Sequence, residues 1–387
     1  MDKVAIAWQV GLLSGWGVLG TNLAVQMGLR GIRPVLLSAG DPLGGDPLQR
    51  RALERAVADA APVVERCAQG ERLPFPMLHG LADRLGFPDY WGRVGGSPDV
   101  GFVFFEHVDI PAEAIEQARR LPLIIAGSGW NARVLADLGL TNVALCPQGV
   151  DPAHFHPAPR TGHFRDRFVV FSGGKLEYRK GQDIVIGAFR IFRQRHPDAL
   201  LMTAWHNPWL ASVATLNRSP HVEGLPRPLA DGLAIEEWLA TNGLPPGSVV
   251  DLGAVPNSAV APMLREADIA VFPNRCEGGT NLVAMECMAC GVPVVLSRNT
   301  GHLDLIEAVG DDCFVLEQQF DLGELSGLPA MAGWGESMVD ELVARLEEAY
   351  ADRALARRRG AVAAAAMRDW SWELRVGGML DAIAKVT

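Results

Sequence analysis

No apolar run in this sequence approaches the roughly 18–20 residues that a membrane-spanning helix needs. Met1-Asp2-Lys3 leads straight into a strand pattern, without the charged-then-apolar profile of a signal peptide. The chain therefore reads as soluble and cytoplasmic. Excess positive charge is also missing: 35 Lys and Arg face 45 Asp and Glu, a formal net charge of −10. A surface that neutralises phosphate backbones is basic, so nucleic acid is excluded as the main partner, while a locally basic pocket is not. The same balance gives no support to peripheral membrane contact, although it does not forbid it. Cysteines are few and scattered, at 67, 146, 276, 287, 290 and 313. Cys287 and Cys290 make a C-x-x-C without a second pair and inside a helical pattern, so packing residues are expected rather than disulfides or metal ligands. There is no D-x-D and no Walker loop, and the G-x-G-x-x-G spacing of Gly15, Gly17 and Gly20 is on its own a weak dinucleotide signal.

What is present is apolar and periodic. With 387 residues, 49% of them hydrophobic and 21% charged, the chain can bury a sizeable core. The length suggests about two to three domains. Val4 to Trp8 reads as a strand, Ser14-Gly15-Trp16-Gly17 as a glycine turn into a helix through about Arg30, and Pro34 to Ser38 as a second strand. Gln49 to Cys67 has helical spacing, and Leu73 to Gly101 reads as loops with short elements. Gly101 to Phe105 is an apolar strand delivering Glu106 and His107 to its carboxyl end. Strands at Leu123 to Ala126 and Val143 to Cys146 flank a helix at Asn131 to Leu138. The proline-bearing stretch Pro152 to Arg167 is the expected interdomain linker. A second alternation follows, with strands at Phe168 to Phe171, Leu200 to Thr203, Val249 to Leu252, Ile269 to Phe272, Val292 to Leu296 and Phe314 to Leu316. The tail is helical, and its basic run Arg357 to Arg359 reads as a solvated helix face. Alternation of strand and helix in both halves predicts an α/β protein with two parallel-sheet domains. The expected division is 1–158 plus a final helix 370–387, and 159–369.

Two stretches carry chemistry. Ala270 to Pro293 runs strand, polar glycine turn, helix, strand, with Arg275 and Glu277 in the turn and Glu286 on the helix. Thr280 or Asn281 can cap that helix. Its free amides carry about half a positive charge, which suits an anion. Glu286 falls among Val283, Met285, Cys287, Met288 and Ala289, where a buried carboxylate needs a partner. Gly173 to Gly181 places Lys175 and Lys180 on a loop between strand and helix. They either meet a diphosphate or are simply solvated. The glycines 15 and 17 either make a tight turn or approach a substrate.

These motifs resemble the retaining, nucleotide-sugar-dependent glycosyltransferases of the GT-B fold, group 1 or family 4. The resemblance is carried by Gly149-Val150-Asp151 with Phe155 and Pro157, Gly174-Lys175-Leu176 with Lys180-Gly181, Ala267-Asp268 to Pro273, Glu277-Gly278 through Glu286 to Pro293, and Gly301-His302 to Asp304. It implies two Rossmann-like domains facing across a cleft, with the last helix crossing back to the first. Lys175 and Lys180 would meet the diphosphate, Glu277 the sugar hydroxyls, and Glu286 the ribose. Donor contacts are expected from Gly15, Gly17, Gly174, Arg275, Gly278, Gly279, Thr280, Asn281 and Leu282. At the reacting sugar, Glu106 occupies the position where many members carry His, and His107 follows it. Two departures stand out: eight residues separate Glu277 from Glu286 where the family has seven, and Lys175 replaces an Arg. The implied reaction moves a sugar from a nucleoside diphosphate to a hydroxyl of a carbohydrate, lipid-linked or protein acceptor, with retention and without metal or cofactor. Other readings are an epimerase or phosphorylase on the same architecture, a nicotinamide-dependent oxidoreductase, and a non-catalytic sugar-nucleotide-binding descendant. The oxidoreductase would want an acidic residue at the end of the second strand, where only Ala39-Gly40-Asp41 follows.

Overall fold

The computed structural model describes residues 1–37, 47–89 and 94–387, so Ser38 and the Ala39-Gly40-Asp41 segment lie outside the described residues. Six parallel strands form the first sheet: β1 (Lys3–Ile6), β2 (Arg33–Leu36), β3 (Met77–Gly80), β4 (Asp99–Val103), β5 (Leu123–Ala126) and β6 (Val143–Leu145), in the order β2-β1-β3-β4-β5-β6. Parallel strands are covered on both faces, so they read as unbroken apolar runs. The sequence signal fails at β3, where Met77–Gly80 is short and includes His79. That ring is buried because its Nε2 lies 2.8 Å from the Asp99 carboxylate on the neighbouring strand. The expected single helix at 49–67 is two, Pro47–Ala58 and Ala61–Ala68, the second with proline in its first turn.

The second unit adds β7 (Phe168–Gly174), β8 (Ala199–Trp205), a small hairpin of β9 (Pro228–Leu229) and β10 (Gly232–Leu233), then β11 (Val249–Asp251), β12 (Ile269–Phe272), β13 (Val294–Ser297) and β14 (Phe314–Leu316). Its main sheet runs β11-β8-β7-β12-β13-β14, all parallel. A second hairpin, β15 (Gln319–Asp321) with β16 (Gly335–Ser337), was not legible in the sequence. Each face of this sheet has its own apolar layer. One is built around Phe171, Phe272, Met285 and Met288, the other around Phe168, Ile184, Phe189 and Leu342.

The chain passes between the units twice at one place. Val150 N–H donates to the Trp370 carbonyl (2.8 Å) and Trp372 N–H donates to the Val150 carbonyl (3.0 Å). Gly149 lies so close to this return crossing that a Cβ there would meet Trp372 N at 2.8 Å. The last helix, Trp372–Ala384, then buries Trp372, Val376, Met379 and Ile383 against Leu19 and Leu23 of the first helix, Gly15–Leu29. The helix does cross back, as the resemblance implies. Among the described residues no helix is long and apolar enough to span a membrane. Arg357 and Arg358 are exposed, while Arg359 pairs with Glu348 at 3.0 Å.

Candidate active site

β12 ends in the turn that carries Arg275 and Glu277, and Asn281 starts the helix Leu282–Ala289. Asn281 sits at φ 66°, a left-handed conformation that a short polar side chain tolerates, and its Oδ1 accepts from Ala284 N–H (3.3 Å). Thr280, the other candidate cap, instead donates its hydroxyl to Met285 Sδ (3.0 Å). The N–H groups of Gly279, Thr280, Asn281 and Leu282 donate to no acceptor among the described residues. Thr280 and Asn281 are buried, and buried amides are rarely left so. Here they converge at a helix N-terminus, where the dipole adds to their preference for an anion.

The glycines of this turn serve the approach of the first unit. A Cβ on Gly278 would lie 2.3 Å from the Phe104 carbonyl oxygen, and one on Gly279 would lie 3.0 Å from the Phe104 ring. Gly278 offers its own carbonyl to the Ser128 hydroxyl (2.7 Å). Across the same gap, a Cβ on Gly15 would be 3.7 Å from Leu282, and the Gly15 carbonyl accepts from Gln148 Nε2 (3.3 Å). Gly15 therefore lies against the Leu282 side chain at the start of this helix. Gly17 does not: its missing Cβ makes room for the Gly11 backbone at 2.9 Å. Gly174 holds φ 122° where β7 ends, a conformation that favours glycine.

The loop after β7 brings the charges. Lys180 Nζ donates to Glu277 Oε1 (2.5 Å), which also accepts from Asn274 Nδ2, while Arg179 reaches Glu277 Oε2 at 3.3 Å. Arg179 also touches Glu177 Oε1 (2.5 Å) and, across the cleft, Glu106 Oε1 (3.3 Å). Burial alone would raise the Glu277 carboxyl, but the Lys180 and Arg179 charges hold it down at about 2. Burial likewise depresses Lys180, and the Glu277 charge works against that. Glu277 is thus the counter-ion beneath the lysine, only 4% exposed. Its expected contact with sugar hydroxyls is left to the remaining capacity of Oε2. Lys175 forms no ion pair with this cluster among the described residues and is exposed, its ammonium 5.0 Å over the Trp209 ring, but its charge acts on Glu106 and Glu177.

Arg275 corrects the sequence reading. It was expected to hold the donor, but its guanidinium is fully buried and all five N–H directions are spent inside the protein. It forks onto Asp183 (2.7 and 2.7 Å), onto Glu336 (2.5 and 2.8 Å), and onto the Tyr178 carbonyl (2.6 Å). Its role is to fix the turn. Arg179, which the sequence reading passed over, is the arginine that reaches the cleft. The signal was available, since it sits between Lys175 and Lys180 in the same loop.

On the helix, Glu286 is 6% exposed and its Oε1 accepts from Asn257 Nδ2. Burial pushes its carboxyl up to about 8, against the pull of that hydrogen bond. The folded chain therefore holds a proton here that the unfolded chain releases near 4.3. Stability from this group is complete below about 4.3 and declines as the pH rises to about 8. Glu286→Gln, which stays neutral, is expected to match the wild type in thermal midpoint at pH 4 and exceed it at pH 9. Parallel midpoints across that range would count against a protonated Glu286.

Two further groups complete the site. Burial pushes the His302 imidazole down to about 4, so it is neutral, with Nε2 3.0 Å from Asn281 Nδ2 and Nδ1 3.1 Å from the Ser297 hydroxyl. At the end of β4, burial raises the Glu106 carboxyl despite the nearby Arg179. Its backbone carbonyl accepts from Trp334 Nε1 (2.7 Å), and the His107 ring lies 5.1 Å from the Trp334 ring. Glu106, Lys180, Glu277 and the free amides are thus brought together at the facing carboxyl edges of the two sheets, where α/β proteins bind ligands.

Comparison with known proteins bears on the family and the fold. Residues 166–322 match the family model described as glycosyl transferases group 1. The GDP-mannose-dependent alpha-(1-6)-phosphatidylinositol monomannoside mannosyltransferase of Mycolicibacterium smegmatis is 31% identical over 168 residues, 40% of this chain and 38% of that protein. The GDP-mannose-dependent alpha-(1-6)-phosphatidylinositol dimannoside mannosyltransferase of Mycobacterium tuberculosis is 27% identical over 256 residues, 60% of each chain. The chain therefore spans less than two thirds of either relative. Sucrose-phosphate synthase from Thermosynechococcus elongatus superposes with a TM-score of 0.68 at 15% identity, covering 100% of this chain and 99% of its own. That likeness is one of fold, and the fold is GT-B.

Proposed function

We propose that this chain is a group 1 glycosyltransferase that moves a sugar from a nucleoside diphosphate to an acceptor hydroxyl with retention of anomeric configuration. The observation that carries the reading is the set of unpaired amides at Gly279 to Leu282 beside the Lys180 ammonium. An ammonium has three donors, and Glu277 uses one. The diphosphate would take the others together with the amides. As the bond to the sugar breaks, charge grows on the leaving phosphate oxygen, and these fixed donors stabilise it most in the transition state. Lys175 would add its charge at the mouth. No metal is assigned a part: the Lys180 ammonium and the helix amides would supply the stabilisation of the leaving diphosphate. Glu286 with Asn257 offers the diol-binding pair for a ribose, and Gly15 closes the site from the other domain. Glu106, facing Arg179, lies where the reacting sugar would be and is the carboxylate to test as a nucleophile.

The relatives' use of GDP-mannose puts GDP and GDP-mannose first among the donors to try, ahead of UDP, ADP and their sugars. Carbohydrate, lipid-linked and protein acceptors belong in the panel. A nucleoside diphosphate at a hundred times its Kd would add about 2.7 kcal/mol to stability, visible as a raised thermal midpoint. Glu286→Ala is expected to lose most of that shift. If no nucleotide or sugar nucleotide in the panel raises the midpoint, the donor site is wrongly assigned.

A further inference from the structure

Asp83 had no place in the sequence reading, yet it is built into the cleft. It lies in a loop after β3 that closes on itself, with Ala82 N–H donating to the Gly86 carbonyl (2.8 Å) and Gly86 N–H returning the bond (3.2 Å). Two consecutive non-glycine residues in this loop, Arg84 and Leu85, hold φ of 57° and 56°. Such backbone is costly and persists where packing over-determines it. Leu85 is fully buried, and Arg84 is tied to Asp109 at 2.5 Å. The result is a fixed carboxylate. Its Oδ1 accepts from the Glu106 N–H (2.8 Å) and the His107 N–H (3.0 Å), and its Oδ2 lies 2.6 Å from His107 Nδ1.

We propose that Asp83 positions His107 as the base that takes the proton of the acceptor hydroxyl. The inference rests on the transferase reading above. The carboxylate accepts the Nδ1 proton, which leaves the lone pair on Nε2. Nε2 has no hydrogen-bond partner among the described residues, and the ring stands in the cleft beside Trp334 of the second domain, 28% exposed. Asp83 stays ionised: burial would raise it, but the His107 ring and the two backbone amides hold it at about 2. The charged groups around the ring are Asp83, Glu106 with its partner Arg179, and the Arg84–Asp109 pair. In the step itself, the acceptor O–H proton moves to Nε2 and the oxygen lone pair forms the bond to the anomeric carbon on the face from which the diphosphate departs, so that the configuration is retained. The bond from that carbon to the leaving group breaks, its electron pair departing on the diphosphate oxygen. The proton on Nε2 is then lost to solvent.

The test compares nucleophiles that carry a proton with one that does not. Using the sugar nucleotide that best stabilises the protein, nucleoside diphosphate release is measured with water, then with azide, for the wild type, Asp83→Asn and His107→Gln. Both variants are expected to lose about 100-fold or more in hydrolysis, with donor KM unchanged and azide transfer within about twofold of wild type. A loop that merely folds wrongly would lower both nucleophiles together, and that result overturns the dyad. So does unchanged hydrolysis. Imidazole 15N shifts give a readout free of turnover: His107 should be protonated at Nδ1 in the wild type and lose that preference in Asp83→Asn. A proton on Nε2 in the wild type ends the proposal. Absence of turnover and of any nucleotide-induced thermal shift would instead sink the transferase reading, and this inference with it.

Discussion

Replacing Arg275 by methionine is expected to destabilise the chain by about 3–5 kcal/mol, the usual result of removing one partner from a buried charge pair. Asp183 is fully buried and, among the described residues, would keep only the Ser219 hydroxyl as a side-chain hydrogen-bond partner. Glu336 would keep His221 at 3.7 Å. The cation stacked 3.7 Å over the Tyr178 ring would also be gone. Arg275→Lys should fall between, because it keeps the charge and loses the planar fork that serves two carboxylates at once. Thermal and urea unfolding would measure both variants. The same experiment separates the two readings of this residue. A donor ligand would change nucleotide affinity and leave the thermal midpoint alone, whereas a buried staple should do the reverse.

The largest expected loss of activity is at Lys180. Lys180→Ala should lower kcat by about 10²–10³, the range found when one preorganised donor to a developing oxyanion is removed. Its stability cost should be smaller than that of Arg275→Met, because Glu277 keeps Arg179 and Asn274 on the same carboxylate. The second change to make is Glu277→Gln, alone and combined with Lys180→Ala. If Glu277 acts chiefly by holding the ammonium, the double variant should be little worse than Lys180→Ala alone, because the effects of contacting residues do not add. Additive losses would instead give Glu277 a separate contact with the sugar. An unchanged kcat in Lys180→Ala, with only the midpoint lowered, would reduce this lysine to a structural ion pair.

The two arginines show where reading the sequence succeeds and where it stops. Residues 275 and 179 both lie in polar loops at the end of an apolar strand, and although the flanking lysines mark the loop of Arg179 as cationic, neither loop says which guanidinium reaches the cleft. Their fates are set by partners far along the chain. Asp183 and Glu336 claim the first, and Glu106 from the other domain meets the second. Strands such as Ile269–Phe272 were legible because burial on both faces leaves an unbroken apolar run. Met77–Gly80 was not, because its histidine is satisfied by Asp99 on a strand that comes later in the chain. Asp83 was hidden for the same reason: its partners His107 and Glu106 arrive only when β3 and β4 pair. Glu286 was legible because a carboxylate on an otherwise apolar helix implies its own burial.

The return crossing at Val150 and Trp370 has a consequence for the order in which the molecule can assemble. The second domain is continuous in sequence and supplies nearly all of its two apolar layers, with Val150, Phe155 and Trp370 joining one of them. The first is not: Trp372, Val376, Met379 and Ile383 supply part of the layer that covers its sheet. During synthesis the first domain must therefore wait, with Leu19 and Leu23 uncovered, until a segment made after the entire second sheet emerges and docks. Completion of the early half is gated by the late half. A nascent chain halted between the two would be a collapsed sheet with an open flank, a form that chaperones recognise and that aggregates if left alone.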